Sequence, residues 1–338
     1  MREGPGSASA PEQDAMMLEL LSWLRAQAWQ FTPPTPLTHA RVLARRSPLA
    51  AAGLRDVLGW SLPFGVRDLP AGMNDDLLLL LGRCGVLEEQ AVPAGLAASP
   101  ADKWFRSSLR CASFDDLLFL HSAYPTESGN AVFWGPDTYR FLRLIQANMP
   151  AHNPLAPGRV LDMGCGSGAG GMVAGRLCPG AQLVLNDINP LALRLASINA
   201  QSAGLKAELA LGDATDASLA SLDGAFSVIV ANPPYLVDDA ARAYRHGGGN
   251  LGRALSVQMA AAALQRLAPL GRLIMYTGVA IEGGHDALIA ELRPLLAEAG
   301  CAWTYCEIDP DVFGEELERP AYRNAERIAA VGLVAVKA

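Results

Sequence analysis

The sequence predicts an α/β protein, with a mainly parallel sheet in its C-terminal part and a smaller, mainly helical domain before it. Three observations lead to this prediction. From residue 158 onwards, short apolar runs alternate with helical patterns, which indicates βαβ units. Polar residues follow several of these runs, at the strand ends where open α/β sheets bind ligands. Before residue 126, apolar residues recur mostly at helical spacing.

The alternation predicts each element of the C-terminal part in turn. Strands are predicted over residues 159–162, 182–187, 206–211, 226–231, 272–277, 302–308 and 328–336. Helices are predicted near residues 170–178, 190–202, 252–268 and 284–299, and a further helix begins at Gly135-Pro136-Asp137-Thr138. The last two strands form a hairpin-like pair, and no internal repeat is visible.

The N-terminal part divides into a polar tail and a small domain. Residues 1–14 are expected to be a disordered tail, residues 15–125 the first domain and residues 126–338 the second. In the first domain, helices are predicted over 16–24, 37–46, 50–58 and 76–83, and strands over 85–88 and 104–111. A helix followed by a hairpin resembles a winged-helix module. The alternative is a helical cap with a hairpin that packs on the main domain.

Composition limits the class of partner. The chain has 338 residues with 51% hydrophobic content, which suits one large or two ordinary globular domains. Its net charge is −7 and its pI is about 5.3. This acidic balance argues against tight, nonspecific nucleic-acid binding, which depends on Lys and Arg contacts to phosphates. A local basic patch stays open.

Cysteine usage and hydropathy predict a cytoplasmic protein. The six cysteines include no C-x-x-C pair and no zinc-type spacing, so buried thiols and no metal site are expected. The N-terminal segment lacks the apolar core of a signal peptide. The apolar run Leu77–Leu81 is too short to span a membrane. We therefore expect a soluble cytoplasmic chain that does not associate with membranes.

A glycine-rich turn organises the second domain. It contains Gly164, Gly166 and Gly168, and it follows a short strand that ends in Asp162. Glycine permits positive φ and the close approach of another molecule. Asp187 ends the next strand about 20 residues further on, where an acidic side chain can bind a ribose. The spacing predicts a nucleoside-containing cofactor.

Residues 160–168, Val-Leu-Asp-Met-Gly-Cys-Gly-Ser-Gly, resemble motif I of the class I S-adenosylmethionine (SAM) methyltransferases. The resemblance implies a Rossmann-like, seven-stranded methyltransferase sheet and SAM as the cofactor. It differs from the dinucleotide fingerprint Gly-x-Gly-x-x-Gly, which argues against an NAD-dependent oxidoreductase. The implied cofactor-binding residues are Asp162, Gly164, Cys165, Gly166, Gly168, Asp187, Ile188, Asp213, Ala214 and Asn232. For Asp213, the alternative to contacting adenine is a helix N-cap.

The sequence Asn232-Pro233-Pro234-Tyr235 directly follows the apolar run 228–230. Taken alone, it is also typical of a turn that closes a strand. At the end of the fourth strand of a SAM-binding sheet, it resembles the motif of enzymes that methylate a planar nitrogen. The lone pair of such a nitrogen is delocalised, so two acceptors that bind its N–H groups can orient it. Asn232 Oδ1 and the Pro233 carbonyl would serve, and the Tyr235 ring can cover the planar group. The predicted catalytic residues are Asn232, Pro233, Pro234 and Tyr235.

Two further segments point towards one branch of the family. Pro136-Asp137-Thr138 resembles the Pro-Asp/Glu-Thr segment of the HemK/PrmC-type glutamine methyltransferases, although Gly135 and Tyr139 depart from that pattern. Those enzymes also carry a glycine loop after the Asn-Pro-Pro-Tyr motif, preceded by Glu-Pro. Here the loop is 247–252 and Glu-Pro is absent. The loop is either a substrate lid or a simple connection, and His246 is either a proton acceptor or a solvated loop residue.

These observations together predict a SAM-dependent N-methyltransferase. Residues 15–125 would recognise the substrate, and residues 126–338 would bind SAM and catalyse transfer. The favoured acceptor is a glutamine amide in a protein. The alternatives are an exocyclic amine of guanine or adenine in RNA or DNA, and a small molecule. A non-catalytic SAM-binding regulator is the alternative of another class, but it would be expected to lack an intact Asn-Pro-Pro-Tyr. The oligomeric state is left open.

Overall fold

The computed structural model describes residues 9–46, 49–96, 102–149, 158–240, 242 and 244–338. The chain divides into two compact units. The first unit comprises Met1–Glu127, Val132–Pro136 and Gln201–Gly204, and the second comprises Ser128–Ala131, Asp137–Ala200 and Leu205–Ala338. The domain boundary expected between residues 125 and 126 lies close to Glu127, where the main segment of the first unit ends.

The first unit combines four helices with five short strands among its described residues. Its elements are α1 (Ala10–Ala26), α2 (Pro36–Leu43), α3 (Leu54–Leu58), β1 (Phe64–Gly65), α4 (Asp75–Arg83), β2 (Leu87–Gln90), β3 (Trp104–Ser107), β4 (Leu109–Phe114) and β5 (Leu117–Ser122). The strands form a three-stranded sheet in the order β1-β3-β2 and a separate β4-β5 hairpin. A β2-β3 hairpin therefore follows α4, as predicted. The winged-helix resemblance stays a prediction.

Two boundaries in this unit were predicted wrongly. Helix α1 begins at Ala10, inside the segment expected to be a disordered tail, while residues 1–8 lie outside the described residues. The Glu12 carboxylate accepts a hydrogen bond from the Ser9 amide at 2.7 Å, which starts the helix early. The single strand predicted over 104–111 is two strands. Ser107 Oγ accepts from the Leu109 amide at 3.2 Å and so turns the chain between them.

The second unit contains the mainly parallel sheet. Its elements are α5 (Pro136–Asn148), β6 (Arg159–Met163), α6 (Ala169–Leu177), β7 (Gln182–Asp187), α7 (Pro190–Ser202), β8 (Ala207–Leu211), β9 (Phe226–Ala231), α8 (Ala254–Arg266), β10 (Leu267–Glu282), β11 (His285–Asp286), α9 (Ala287–Glu298), β12 (Cys301–Asp309) and β13 (Arg327–Lys337). The strand order is β12-β13-β10-β9-β6-β7-β8, and β11 pairs with β10. The predicted α/β class and seven-strand path are confirmed.

The direction of the strands determines where a ligand can bind. The pairs β10-β9, β9-β6, β6-β7 and β7-β8 are parallel, whereas β13 is antiparallel to its neighbours β10 and β12. The strand order reverses between β6 and β9. Such a switch point opens a crevice at the carboxyl ends of the strands. Met163 of β6 pairs with Ala231 of β9, so the segments after these residues begin side by side.

Apolar packing fixes the central strands in place. All of β9 is buried, and β6 is buried from Val160 to Met163, because helices cover the sheet. The core includes Met259 and Leu264 of α8 and Leu292 of α9. Burial of this kind contributes roughly 25 cal/mol per Å² of apolar surface. The site at the strand ends therefore rests on a packed and rigid platform.

Candidate functional site at the carboxyl edge of the sheet

The glycine-rich turn joins the end of β6 to the start of α6. Gly164, Gly166 and Gly168 have φ values of +68°, +54° and +82°, which strain any residue that carries a Cβ. The Cys165 amide donates a hydrogen bond to the Asn186 carbonyl at 2.8 Å, so the turn lies across the end of β7. A Cβ at Gly166 would meet nothing within 4 Å. The turn is therefore open on one side, where a ligand can approach its backbone.

Asp162 lies beneath this turn and is almost fully buried. Its Oδ2 accepts a hydrogen bond from the Gly171 amide in the first turn of α6 at 2.6 Å. Burial raises the pKa of Asp162 to about 7, although the Gly171 hydrogen bond opposes that rise. A cation bound nearby would favour the ionised carboxylate. The site thus fits a ligand that brings a positive charge to the turn.

Asp187 holds the opposite side of the turn. Its Oδ2 accepts from the Gly166 amide at 2.8 Å, and its Oδ1 accepts from the Asn189 amide at 2.9 Å. Burial also raises the pKa of Asp187. Each carboxylate oxygen has a second lone pair, so Asp187 can accept ribose hydroxyls without releasing the turn. The neighbouring Ile188 is 56% exposed and offers an apolar surface to a ligand at this edge.

Asp213 and Ala214 follow β8. Asp213 Oδ1 accepts from the Thr215 amide at 2.8 Å and from Thr215 Oγ1 at 2.7 Å, which closes a local turn. The helix N-cap alternative does not describe this turn, because the next helical segment is the short 3₁₀ helix Ala220–Leu222. The Gly212 amide donates to the Asp187 carbonyl at 3.0 Å. That bond keeps the segment after β8 beside the end of β7.

Asn232 begins the segment that leaves β9, and its side chain is half-buried. Within the described ranges, its amide and the Pro233 carbonyl have no hydrogen-bond partner. Because Ala231 pairs with Met163, both groups begin beside the glycine-rich turn. The oxygens of these two groups are thus uncommitted acceptors, that is, hydrogen-bond acceptors without a partner, at the switch point. Pro233 is buried and Pro234 is half-buried, which limits the motion of the segment.

Tyr235 is held by a residue that the sequence analysis did not include in the site. Its hydroxyl donates to Asp137 Oδ2 at 2.6 Å, and the Tyr276 hydroxyl of β10 donates to Asp137 Oδ1 at 2.7 Å. Arg140 Nη1 donates to Asp137 Oδ1 at 3.0 Å and Nη2 to Asp309 Oδ2 at 2.7 Å. Burial and the adjacent carboxylate raise the pKa of both tyrosines, so both stay phenols. In the sequence, the Pro136-Asp137-Thr138 segment was the feature that could have indicated that Asp137 belongs to the site.

The glycine loop 247–252 packs directly on the backbone of Tyr235 and Leu236. The Gly247 amide donates to the Leu236 carbonyl at 2.9 Å. A Cβ at Gly252 would lie 2.1 Å from the Tyr235 carbonyl oxygen, and one at Gly247 would lie 1.8 Å from the Gly252 oxygen. These two positions therefore require glycine. His246 Nδ1 accepts from the Asp238 amide at 3.3 Å, which gives that ring a structural contact.

A second segment reaches the motif from between β12 and β13. The Tyr322 hydroxyl accepts from the Val237 amide at 2.9 Å, and Arg319 Nη1 donates to the Val237 carbonyl at 2.7 Å. Ion pairs accompany these bonds: Arg242–Asp238, Arg245–Glu316, Arg319–Asp239 and Arg253–Glu291. The Arg242 hydrogen bond lowers the pKa of Asp238 to about 2. Sequence patterns did not predict this segment as part of the site, because its partners lie roughly 80 residues away.

The described residues show neither a membrane-spanning helix nor a metal-type cluster of His, Cys, Asp or Glu. All six cysteines lie in the described ranges and are free thiols.

Comparison with known families gives a match over the part of the chain that contains this site. The family model of the methyltransferase small domain matches residues 142–282, which include the glycine-rich turn and the Asn-Pro-Pro-Tyr motif. Residues 142–282 are thus similar to the methyltransferase small domain. The predicted class, SAM-dependent methyltransferases, is thereby confirmed for this part of the chain, with SAM as its cofactor.

Two groups of curated proteins are similar to this chain. A release factor glutamine methyltransferase of Deinococcus radiodurans is 34% identical over 173 residues, or 47% of this chain and 55% of that protein. A ribosomal RNA small subunit methyltransferase C of Shewanella amazonensis is 39% identical over 82 residues, or 24% of this chain and 23% of that protein. The chain thus spans about half or less of the length of these relatives.

Solved structures also resemble this chain. The crystal structure of M. jannaschii TYW2 in complex with AdoMet covers 68% of this chain and 85% of its own, with a TM-score of 0.47 and 12% identity. Trm5b of Pyrococcus abyssi covers 79% of this chain and 72% of its own, with a TM-score of 0.46 and 12% identity.

Proposed function

We propose that the chain is a SAM-dependent N-methyltransferase whose acceptor is a glutamine side-chain amide in a protein. The observation that carries the proposal is the pair of uncommitted acceptor oxygens, on Asn232 and Pro233, beside the glycine-rich turn. Two acceptors at one strand end match the two N–H groups of a primary amide.

The residues around the turn fit the cofactor. SAM would supply an electrophilic methyl group on a sulfonium. Asp187 would accept its ribose hydroxyls, Ile188 and the Asp213-Ala214 turn would lie against its adenine, and Asp162 would offset its positive charge. The turn that contains Gly164, Cys165, Gly166 and Gly168 would lie against the rest of the molecule, with Gly166 as its open position. These assignments follow from the resemblance to SAM methyltransferases, and the contacts described above for Asp162, Asp187 and Gly166 support them.

The chemistry that this chain contributes is mainly positioning. Asn232 Oδ1 and the Pro233 carbonyl would each accept one N–H of the acceptor nitrogen, and so aim its lone pair at the methyl group. Fixing the reactants in line can remove a large part of a reaction barrier. The nitrogen loses its proton after transfer, so no strong base is needed beforehand. Asp137 and Gly278 hold Tyr235, which stiffens the motif that carries both acceptors.

Charge favours a protein acceptor over a nucleic acid. The arginines beside the motif, Arg242, Arg245 and Arg319, each have a carboxylate partner. A phosphate backbone would have to compete with those carboxylates. The net charge of −7 also disfavours the binding of a phosphate backbone. The longest match among the relatives reported above is the release factor glutamine methyltransferase, whereas the ribosomal RNA methyltransferase supports the competing acceptor, a base amine.

The experiment that tests the proposal identifies the labelled molecule. The full chain is incubated with radiolabelled SAM and a host extract, and the products are divided between protease and nuclease digestion. Release of label by protease alone, with the methyl group on a glutamine side-chain nitrogen by mass spectrometry, supports the proposal. The host's purified release factor is the first defined acceptor to test. Release by nuclease would show a base amine as the acceptor. Free thiols and the cytosolic setting of translation make the cytoplasm the proposed location.

A further inference from the structure

Phe313 lies at the carboxyl edge of the sheet, in the segment between β12 and β13. β13 begins beside the end of β10, where Arg327 pairs with Ile281, so this segment emerges at the same edge as the Asn-Pro-Pro-Tyr motif. The Phe313 and Tyr235 ring centroids are 6.2 Å apart, and the rings meet edge to face at 61°. The Phe313 side chain is only partly buried. A partly exposed aromatic ring is thus packed against the motif.

The backbone of Phe313 has an unfavourable conformation in this position. Its φ and ψ are +54° and +44°, the left-handed region that disfavours bulky side chains. The flanking backbone bonds do not need a phenyl group. The Val312 amide donates to Ile328, and the Phe313 carbonyl accepts from Glu316, both at 2.8 Å, and glycine would permit both bonds. A strained residue beside a reactive motif suggests a function for its side chain.

Tyr235 itself has little surface to offer. It is 7% exposed, and its hydroxyl is bound to Asp137. Its ring edge lies 2.1 Å from the place where a Cβ on Gly278 would be, so the ring already fills that space. Of this aromatic pair, Phe313 is the more exposed member. It therefore has the greater area left for contact with another molecule.

We propose that Phe313 is an acceptor-binding residue that packs its ring against the planar group of the methyl acceptor, with Tyr235 as its support. The proposal rests on the proposed function, since it assigns the acceptor side of that site. A phenyl ring has no hydrogen-bonding groups, so it would not compete with Asn232 and Pro233 for the N–H groups of the acceptor. Planar amides and bases both pack well on an aromatic face.

The test uses the full chain and measures three properties of each variant. They are the SAM dissociation constant, the Tm, and the extract concentration that half-saturates transfer of label from radiolabelled SAM into acid-precipitable material. This last readout works for protein and nucleic-acid acceptors alike. The variants are Phe313→Gly, which removes the ring and relieves the backbone, and Phe313→Leu, which keeps apolar bulk without a flat face. The matched control is Leu270→Gly, because Leu270 has φ +62° and is 56% exposed, near the amino end of β10.

Phe313→Gly should raise the half-saturating extract concentration about tenfold, the scale of one lost aromatic contact. Its SAM affinity should stay within about twofold, and its Tm should not fall by more than about 2 °C, because the relieved strain offsets the lost packing. Phe313→Leu should fall between Phe313→Gly and wild type. Leu270→Gly should match wild type in half-saturation and SAM affinity.

Two results would overturn the proposal about Phe313 alone. One is a wild-type half-saturation value in Phe313→Gly. The other is a parallel loss of Tm, SAM affinity and transfer, which would show a purely structural role. Failure of the proposed function looks different. In that case, the wild-type chain binds SAM but labels nothing in the extract, and the assignment of Phe313 falls with it.

Discussion

The Asn232 side chain is the sharpest test of the mechanism at the level of single residues. Asn232→Ala should lower methyl transfer by about 10²–10³-fold, because one positioned hydrogen-bond acceptor is lost. SAM affinity should remain within a few-fold of wild type, which isothermal calorimetry can measure. Asn232→Asp keeps an oxygen at the same reach, so it should retain partial activity and exceed Asn232→Ala. A product with its new methyl group on oxygen, carbon or sulfur would contradict the mechanism.

Asp187 has an observed role in the glycine-rich turn and a proposed role in binding ribose, and its substitution should affect both. Asp187→Ala removes the proposed ribose contact and also the hydrogen bonds from the Gly166 and Asn189 amides. SAM binding should weaken by about 1–3 kcal/mol, the range for lost charge-assisted hydrogen bonds. Asp223→Ala is the matched control, because Asp223 is an exposed carboxylate near the amino end of β9. Equal SAM affinity in the two folded variants would remove Asp187 from the site.

The sequence predicted which residues lie beside the glycine-rich turn better than which residues lie beside the Asn-Pro-Pro-Tyr motif. Asp162 and Asp187 stand at strand ends, where local patterns place them beside the glycines. Asp137, Phe313 and Tyr322 come near the motif only through tertiary packing. Their neighbours are distant in the sequence, and no local periodicity encodes that proximity.

Among the elements, α5 has a connection that its amphipathic pattern does not suggest. Asp137 in its first turn accepts hydrogen bonds from Tyr235 after β9 and from Tyr276 in β10. Asp137→Ala should lower kcat and the free energy of unfolding, the latter by about 2–4 kcal/mol, because two buried hydroxyls lose their acceptor. Asp137→Asn keeps one oxygen, so its kcat and its free energy of unfolding should fall less. Tyr276→Phe separates the effects, since it removes one bond and leaves Tyr235 in place. A wild-type kcat in Asp137→Ala would show that this anchor does not contribute to transfer.

Elements with a clear hydrophobic periodicity in the sequence were predicted well, and elements without one were not. Helix α7 occupies the predicted residues 190–202. β10, by contrast, extends over Leu267–Glu282, well beyond the predicted 272–277, because it pairs with β9, β13 and β11 along different parts of its length. β5 was missed altogether, although Leu117–Leu120 are all buried. A short apolar run carries no period of its own, so only its partner β4 defines it.

Over the whole molecule, the two units should respond oppositely to pH between about 4 and 7. Burial raises the pKa of Asp162 to about 7, so the second unit should lose stability as pH rises through this window. Burial lowers the pKa of His39 to about 4 and also lowers that of His121, so the first unit should lose stability as pH falls below about 6.5. Each effect should amount to about 3–4 kcal/mol. Hydrogen exchange with mass spectrometry, corrected for intrinsic exchange rates, measures each unit separately.

Two substitutions test whether Asp162 and His39 cause these pH dependences of stability. Asp162→Asn should flatten the pH dependence of the second unit and leave that of the first unchanged. His39→Gln should reduce the dependence of the first unit, because glutamine can still donate to the Trp60 carbonyl that His39 Nε2 contacts at 3.1 Å. If the stability of both wild-type units changed with pH in the same direction, that result would contradict the assignment. Bound SAM should reduce the loss in the second unit, since its positive charge favours ionised Asp162.

The glycine loop 247–252 bears on how this chain should be compared with its relatives. Gly247 and Gly252 contact the Asn-Pro-Pro-Tyr segment through backbone atoms on both sides. The remaining side chains of the loop can therefore diverge without disturbing that contact. The absence of Glu-Pro before the loop is thus weak evidence for a different acceptor. A relative that had lost either glycine would have to rebuild the chain around its motif, and that loss would be the more informative difference when homologues are sorted by substrate.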